Sequence, residues 1–307
     1  MVAGGSVVVL AVGTAVVWAD ITAIDEPASA TEVAVRLTTT TAAATTTTLP
    51  LPANRSLRFF GTGSGDVDRV KVPISATTAV NVGAGDFTIE FWIKGTLADN
   101  PNGVCNTGND AWINGHVAID RDVYGGGDYG DYGISLMNGR VAFGASSGGS
   151  GATVCGSTNV LDGAWHHVAV TRAVANGKMV VFVDGAIDGQ NSSSAADGDL
   201  SYRVGRSTPY PADPFLVFGA EKHDAGSAYP SFDGWLDEVR VSTTIRYTGA
   251  FTRPTARFTV DGATAALYHF DEGAGLAVGD AAGTSPGQRR VHSGSGGPLW
   301  STDVPFA

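Results

Sequence analysis

The chain opens on an apolar run and then changes character twice. Val2 to Ala19 contains only Ser6 and Thr14 as polar residues. As a helix rising ~1.5 Å per residue, such a run nearly spans a bilayer core. Val17-Trp18-Ala19 fits the small-residue pattern of a cleavage site, so residues 1–19 read as a signal peptide or, uncleaved, a signal anchor. The usual Lys/Arg-rich start is missing. Residues 20–52 are polar, and a Thr-rich tract runs from Leu37 to Pro52. That stretch has neither the periodicity nor the apolar content to pack a core, so it reads as a disordered tether open to O-glycosylation.

From residue 53 to 307 the pattern is period 2. Phe87, Ile89, Phe91 and Ile93 face one way, and Thr88, Glu90, Trp92 and Lys94 the other. Tyr132–Leu136, Asn138-Gly139 and Arg140–Ala145 read as a hairpin with a type I′ turn. Trp165–Arg172 and Met179–Val183 are further strands, and Asp184-Gly185 turns the second into Ala186-Ile187. Leu57–Phe60, Val67–Val72, Phe232–Val241 and Ala266–Phe270 complete the set. The longest loops, Thr96–Asn114 and Gly189–Pro214, are rich in Gly, Asn, Asp, Ser and Pro. No stretch of a dozen residues has helical periodicity.

Composition agrees with an all-β reading. There are 42 Gly, and only six of the 30 acidic residues are Glu. Asp suits turns, caps and calcium loops, whereas helices favour Glu. The formal charge of −11 excludes nucleic acid as a partner and argues against a polybasic membrane-surface mode. A membrane is met only through residues 1–19, if they stay uncleaved.

Four segments together resemble the laminin-G-like jelly roll of the concanavalin A-like lectin/glucanase group. They are Asp86-Phe-Thr-Ile-Glu-Phe-Trp-Ile-Lys94, Gly163-Ala-Trp-His-His-Val-Ala-Val-Thr-Arg172, Val180-Val-Phe-Val-Asp-Gly185 and Gly234-Trp-Leu-Asp-Glu-Val-Arg-Val241. They stand in the family's order between residues 86 and 241. The resemblance implies an antiparallel two-sheet sandwich over residues 53–307. Ala266–Gly275 resembles a strand that precedes the jelly roll in related bacterial proteins. Here it follows, and residues 266–270 are expected to complete the same sandwich.

Cys105 and Cys155 are the only cysteines. An even count in an exported protein predicts a disulfide between them. Glycoside hydrolysis needs paired carboxylates, and glucanases of the group carry an E-x-D-x-E strand. No two Glu here stand at i, i+2 or i, i+4 spacing. Gly144-Ala-Ser-Ser-Gly148 matches a nucleophile elbow but lacks the following helix. His166 and His167 point to opposite faces of one strand, which suits packing rather than metal binding. The chain therefore reads as non-catalytic.

Two kinds of site remain. If Asp237 shares the core face with Val239 and Val241, its carboxylate must be paired or bind metal. The resemblance implies a structural Ca²⁺ on that Asp of the closing strand, with Asp66 and Asp68 as further candidates. A salt bridge to an Arg, backbone N–H donors, or a β-bulge turning Asp237 outward are the alternatives. For ligand, the Asp122–Tyr132 segment offers Tyr124, Tyr129 and Tyr132 among Asp120, Asp122, Asp128 and Asp131, because Tyr rings stack on sugars and Asp accepts from hydroxyls. Tyr210, His223, Asp224 and Tyr229 form a second loop cluster. The reading is a secreted or cell-surface recognition module that binds a glycan or an extracellular protein, as in adhesion. The alternatives are a structural spacer without a ligand and a divergent glycoside hydrolase.

Overall fold

The computed structural model describes residues 10–12, 15–17, 54–101, 103–123, 130–147, 150–203, 214–291 and 297–306. The chain divides into two compact units, Met1–Leu49 and Pro50–Ala307. In the first, β1 (Leu10–Val12) pairs antiparallel with β2 (Ala15–Val17). Among the described residues no helix is long and apolar enough to cross a membrane. Residues 20–52, read as a tether, lie outside the described residues.

The second unit is built from short alternating segments that become β3 (Ser56–Phe60), β4 (Arg69–Pro73) and β5 (Phe87–Gly95). After a 3-10 turn at Ala111–Asn114 come β6 (His116–Arg121), β7 (Asp131–Met137), β8 (Arg140–Ser146) and β9 (Gly151–Cys155). Next are β10 (His166–Ala173), β11 (Lys178–Val183) and β12 (Ala186–Ser192). The chain ends with β13 (Phe215–Phe218), β14 (Asp233–Ser242), β15 (Thr264–Tyr268), β16 (Ala277–Val278), β17 (Gly287–Arg290) and β18 (Leu299–Ser301). Both predicted hairpin turns carry positive φ at their two central residues, Asn138 (50°) with Gly139 (76°) and Asp184 (49°) with Gly185 (84°). That is the type I′ geometry the right-handed strand twist requires.

The strands form two eight-stranded antiparallel sheets. One runs β12-β11-β10-β5-β14-β3-β18, with β15 also on β14, and the other β16-β17-β4-β13-β6-β7-β8-β9. The inward residues of β5 meet those of β7 and β8: Phe87 packs 5.1 Å from Tyr132 and edge-on to Phe143. The polar side of β5 is also covered. Trp92 lies in a cluster with Phe258 and Leu267, and Phe306 meets it edge-on at 5.0 Å. Glu90, fully buried, accepts from Arg240 Nε, from Tyr247 OH and from the His167 ring. His167 is thus the packed histidine, and His166 bonds Asp184 and Asp162 nearer the surface.

Some boundaries differ from expectation. Residues 189–192 belong to β12 rather than to a loop, because they pair with Lys178–Val181 of β11 beyond a register shift at Asp188. The strand expected over 266–270 is Thr264–Tyr268. Phe270 turns to φ 56° yet stays in the core.

Candidate functional site

The disulfide sets one wall of the site. Cys105 and Cys155 are bonded, with Cα atoms 5.8 Å apart. The bond ties the loop after β5 to the end of β9. That loop folds over the outer face of the second sheet and seats Trp112 on two glycines. Gly133 and Gly144 are cross-strand partners, and a Cβ on either would lie within 2.1 Å of the Trp112 ring. Only glycine leaves room for the indole there. The seat is fixed by Ser135 Oγ donating to the Trp112 carbonyl and by Trp112 N–H donating to Thr153 Oγ1. Asp110 and Ile113, on either side of Trp112, then border a rim pocket.

The rest of the pocket comes from strand ends. Asp122 follows β6, Asp131 opens β7, and Glu221, His223 and Asp224 follow β13, with Tyr229 beyond. Asp120 pairs with Gly133, so it faces the same outer side as the Trp112 seat. Its Oδ1 accepts from the Asp122 amide at 2.6 Å and its Oδ2 from the Lys222 amide at 2.8 Å. Asp131 Oδ1 accepts from the Val123 amide at 2.8 Å. Glu221 is clamped by the amides of His223 (2.8 Å) and Asp224 (2.5 Å). The His223 ring places Nδ1 2.9 Å from Glu221 Oε1 and 3.5 Å from Asp122 Oδ2.

So many carboxyl groups cannot all ionise cheaply in a half-enclosed space. Burial and the neighbouring Glu221 raise Asp120. Burial, then Asp131 and Asp120, raise Asp122 well above the carboxylate range. Burial pushes Asp131 up to about 7, against the pull of Arg121. Glu221 differs: burial pushes it up, but hydrogen bonds from the His223 ring and the nearby amides hold it below its ordinary value. The pocket therefore sets carboxyl groups that hold their protons more tightly than usual beside one that holds its proton less tightly. It can accept hydroxyl donors, hold a cation, or share a proton.

Two clusters read separately in the sequence meet here, since Asp131 joins His223, Asp224 and Tyr229. Tyr124, Asp128, Tyr129 and Tyr210 lie outside the described residues. Tyr132 is corrected: it is fully buried in the inter-sheet core with the Arg121 guanidinium over its ring, because its position on β7 faces inward. Asp122, expected from its segment, lines the pocket, whereas Glu221 and Asp110 were not singled out as pocket residues. The Glu-Lys-His-Asp run at 221–224, directly after an apolar strand, was the available signal.

Asp237 lies on the face that the bulge alternative gives rather than on the core face. It pairs with Trp92, and Glu238 and Val239 together oppose Phe91 before Arg240 pairs with Glu90. This bulge, with Glu238 at φ 50°, returns Val239 and Val241 to the core and leaves Asp237 on the outer face. The side chain is nonetheless sealed from solvent. Its Oδ1 accepts from the Glu238 amide, while Oδ2 has no hydrogen-bond partner among the described residues. Burial, then the nearby Glu238 and Asp271 carboxylates, push it up to about 9. Asp68 Oδ1, like Asp237 Oδ2, is buried with no hydrogen-bond partner among the described residues. Asp66 pairs with Lys71, and Asp68 accepts from the Phe60 and Thr62 amides.

With this geometry in place, the comparisons define the class. Residues 64–247 match the Laminin_G_3 family model, described as the concanavalin A-like lectin/glucanases superfamily. The chain belongs to that family. A crystal structure from Bacteroides ovatus, described as a candidate carbohydrate binding protein, superposes with a TM-score of 0.51 at 17% identity and covers 84% of this chain. The chain spans 62% of that structure's length. A heptameric SAP-like pentraxin from Limulus polyphemus (TM-score 0.40, 16% identity) covers 65% of this chain and 78% of its own. Domains LG4-5 of the mouse laminin alpha1 chain (TM-score 0.37, 16% identity) cover 67% and 48%. A search of curated proteins finds no match.

Proposed function

We propose that this protein is an exported, non-catalytic recognition module that binds a glycan or an extracellular protein at the rim pocket between Asp110, Asp131 and Tyr229. The observation that carries the reading is convergence. Three sequence-distant strand ends and a disulfide-held loop place hydrogen-bonding carboxyl groups and a half-buried Tyr around one opening. A disulfide suits an oxidising compartment, which supports export by residues 1–19. A glycan array probed with the full chain is the test. Asp131→Asn and Tyr229→Ala should each lose the signal while the melting temperature holds. Silence across glycan and protein ligands would leave a spacer.

Hydrolysis is a second reading, favoured by one observation: raised Asp122 and Asp131 carboxyls stand beside an ionised Glu221. An acid and a base of this kind is what glycoside cleavage uses. Reducing-sugar release from an array-positive glycan, lost in Glu221→Gln, separates cleavage from binding.

We also propose a structural Ca²⁺ at Asp237. The supporting observation is its buried Oδ2, which has no hydrogen-bond partner among the described residues. Carboxylate and carbonyl oxygens are the donors Ca²⁺ prefers. Ca²⁺ should raise the melting temperature of the EDTA-treated chain and leave Asp237→Ala unmoved.

A further inference from the structure

We infer that Asp122, Glu221 and His223 form a binding site for one divalent transition-metal ion. The inference goes beyond the recognition reading and does not depend on it. One ligating atom from each residue lies within 4.8 Å of the other two. Around His223 Nδ1 the separations are shorter, 2.9 Å to Glu221 Oε1 and 3.5 Å to Asp122 Oδ2. Donors ~2.0–2.2 Å from a tetrahedral Zn²⁺ stand roughly 3.4 Å apart. The side chains thus need to move by about an ångström or less to close on an ion.

The donor set is built rather than scattered. Glu221 and His223 follow the end of β13 two residues apart, and both side chains are only 1% exposed. The amides of His223 and Asp224 hold the Glu221 carboxylate before any ion arrives. Such outer bonds orient ligands in metal sites. Asp122 is 19% exposed and leaves a path to solvent. The nearby Lys222 ammonium donates to the Phe215 carbonyl. His223 Nδ1 lies between the Glu221 and Asp122 carboxylates, so one ion can meet all three. Imidazole with two carboxylates selects a first-row transition ion over Ca²⁺, which takes six to eight oxygens.

The test uses the full chain stripped with EDTA, at pH 7.5. Calorimetric titration with ZnCl₂ should give saturable binding of one Zn²⁺ per chain. Titration with Co²⁺ should give the visible absorption of a low-coordinate site. His223→Ala should weaken Zn²⁺ at least tenfold and bleach the cobalt spectrum. Asp122→Asn should do the same while keeping the parent melting temperature, because among the described residues its carboxylate anchors no amide. Ca²⁺ should compete at least tenfold more weakly. The inference is overturned by absence of saturable binding to the folded chain, by binding that both variants leave intact, or by Ca²⁺ displacing Zn²⁺ at equal concentration. Because the ion is measured without a glycan, an empty array leaves this result standing. A metal-free chain that binds its glycan would count against neither measurement of the ion.

Discussion

Two buried carboxyl groups on neighbouring strands behave in opposite ways. Glu90 sits among Arg240, His167 and Tyr247, and the hydrogen bonds and charge of the first two hold it below its ordinary value despite burial. Removing one partner of such a group strands the others, at roughly 3–5 kcal/mol. Glu90→Ala should therefore destabilise by about that much in urea unfolding, more than truncation of an exposed Glu. Asp237 contacts no cation among the described residues, and its carboxyl rises to about 9. The sign follows from proton counting. Between roughly pH 4 and pH 9 the folded metal-free chain binds one proton more than the unfolded chain. Its stability therefore falls as pH rises, by up to ~1.4 kcal/mol per pH unit from this group. In EDTA, Asp237→Asn should gain on the parent protein as pH goes from 5 to 8. A stability difference flat across that range would mean Asp237 is ionised throughout.

At the level of elements, the Trp112 seat joins the disulfide to the pocket. In Gly144→Ala the new methyl would stand 1.8 Å from Trp112 Cδ1, with the ring already held from two sides. Overpacking of this kind costs about 1–3 kcal/mol. It should also red-shift tryptophan emission and weaken any ligand bound beside Asp110. Replacing both cysteines by Ser frees a closed loop of 50 residues and should cost about 3–4 kcal/mol. Strands and hairpins were legible because period 2 and the Asn-Gly and Asp-Gly turns are local signals. The Trp112 seat was not read, although two glycines in one hairpin, Gly133 and Gly144, were the available sign of a close approach. The bulge at Asp237 was legible only as an alternative. Glu238 adopts φ 50° because its carboxylate anchors Arg257, His269 and the Phe258 amide, partners 19 to 31 residues away. The rim pocket was hidden for the same reason: Asp122, Asp131 and Glu221 meet only after β13, β6 and β7 align.

At the scale of the sandwich, the family match ends at residue 247, but the sheets do not. β15 pairs with β14, β17 with β4, and β18 with β3, so the C-terminal segment adds strands to both sheets. It also supplies the cover over the outer face of β5. Phe251 and Phe258 pack edge-on to the His167 ring, and Arg240 lies over Phe258. Without that cover, Trp92 and Leu267's partners would face water, and the buried Glu90 charge would lose its enclosure. Burial of an aromatic side chain contributes about 1.5–3 kcal/mol, and a domain's whole margin is about 5–15 kcal/mol. Losing Phe251, Phe258, Tyr268, Phe270 and Phe306 together removes an amount comparable to that whole margin. A chain ending at Thr248 should therefore fail to fold, binding a hydrophobic dye and showing no cooperative thermal transition, although it keeps the entire family match. Limited proteolysis of the intact protein should likewise leave no stable fragment ending between Ser242 and Thr264. A truncated chain that melts cooperatively near the parent temperature would show that the later strands decorate the sandwich instead of completing it.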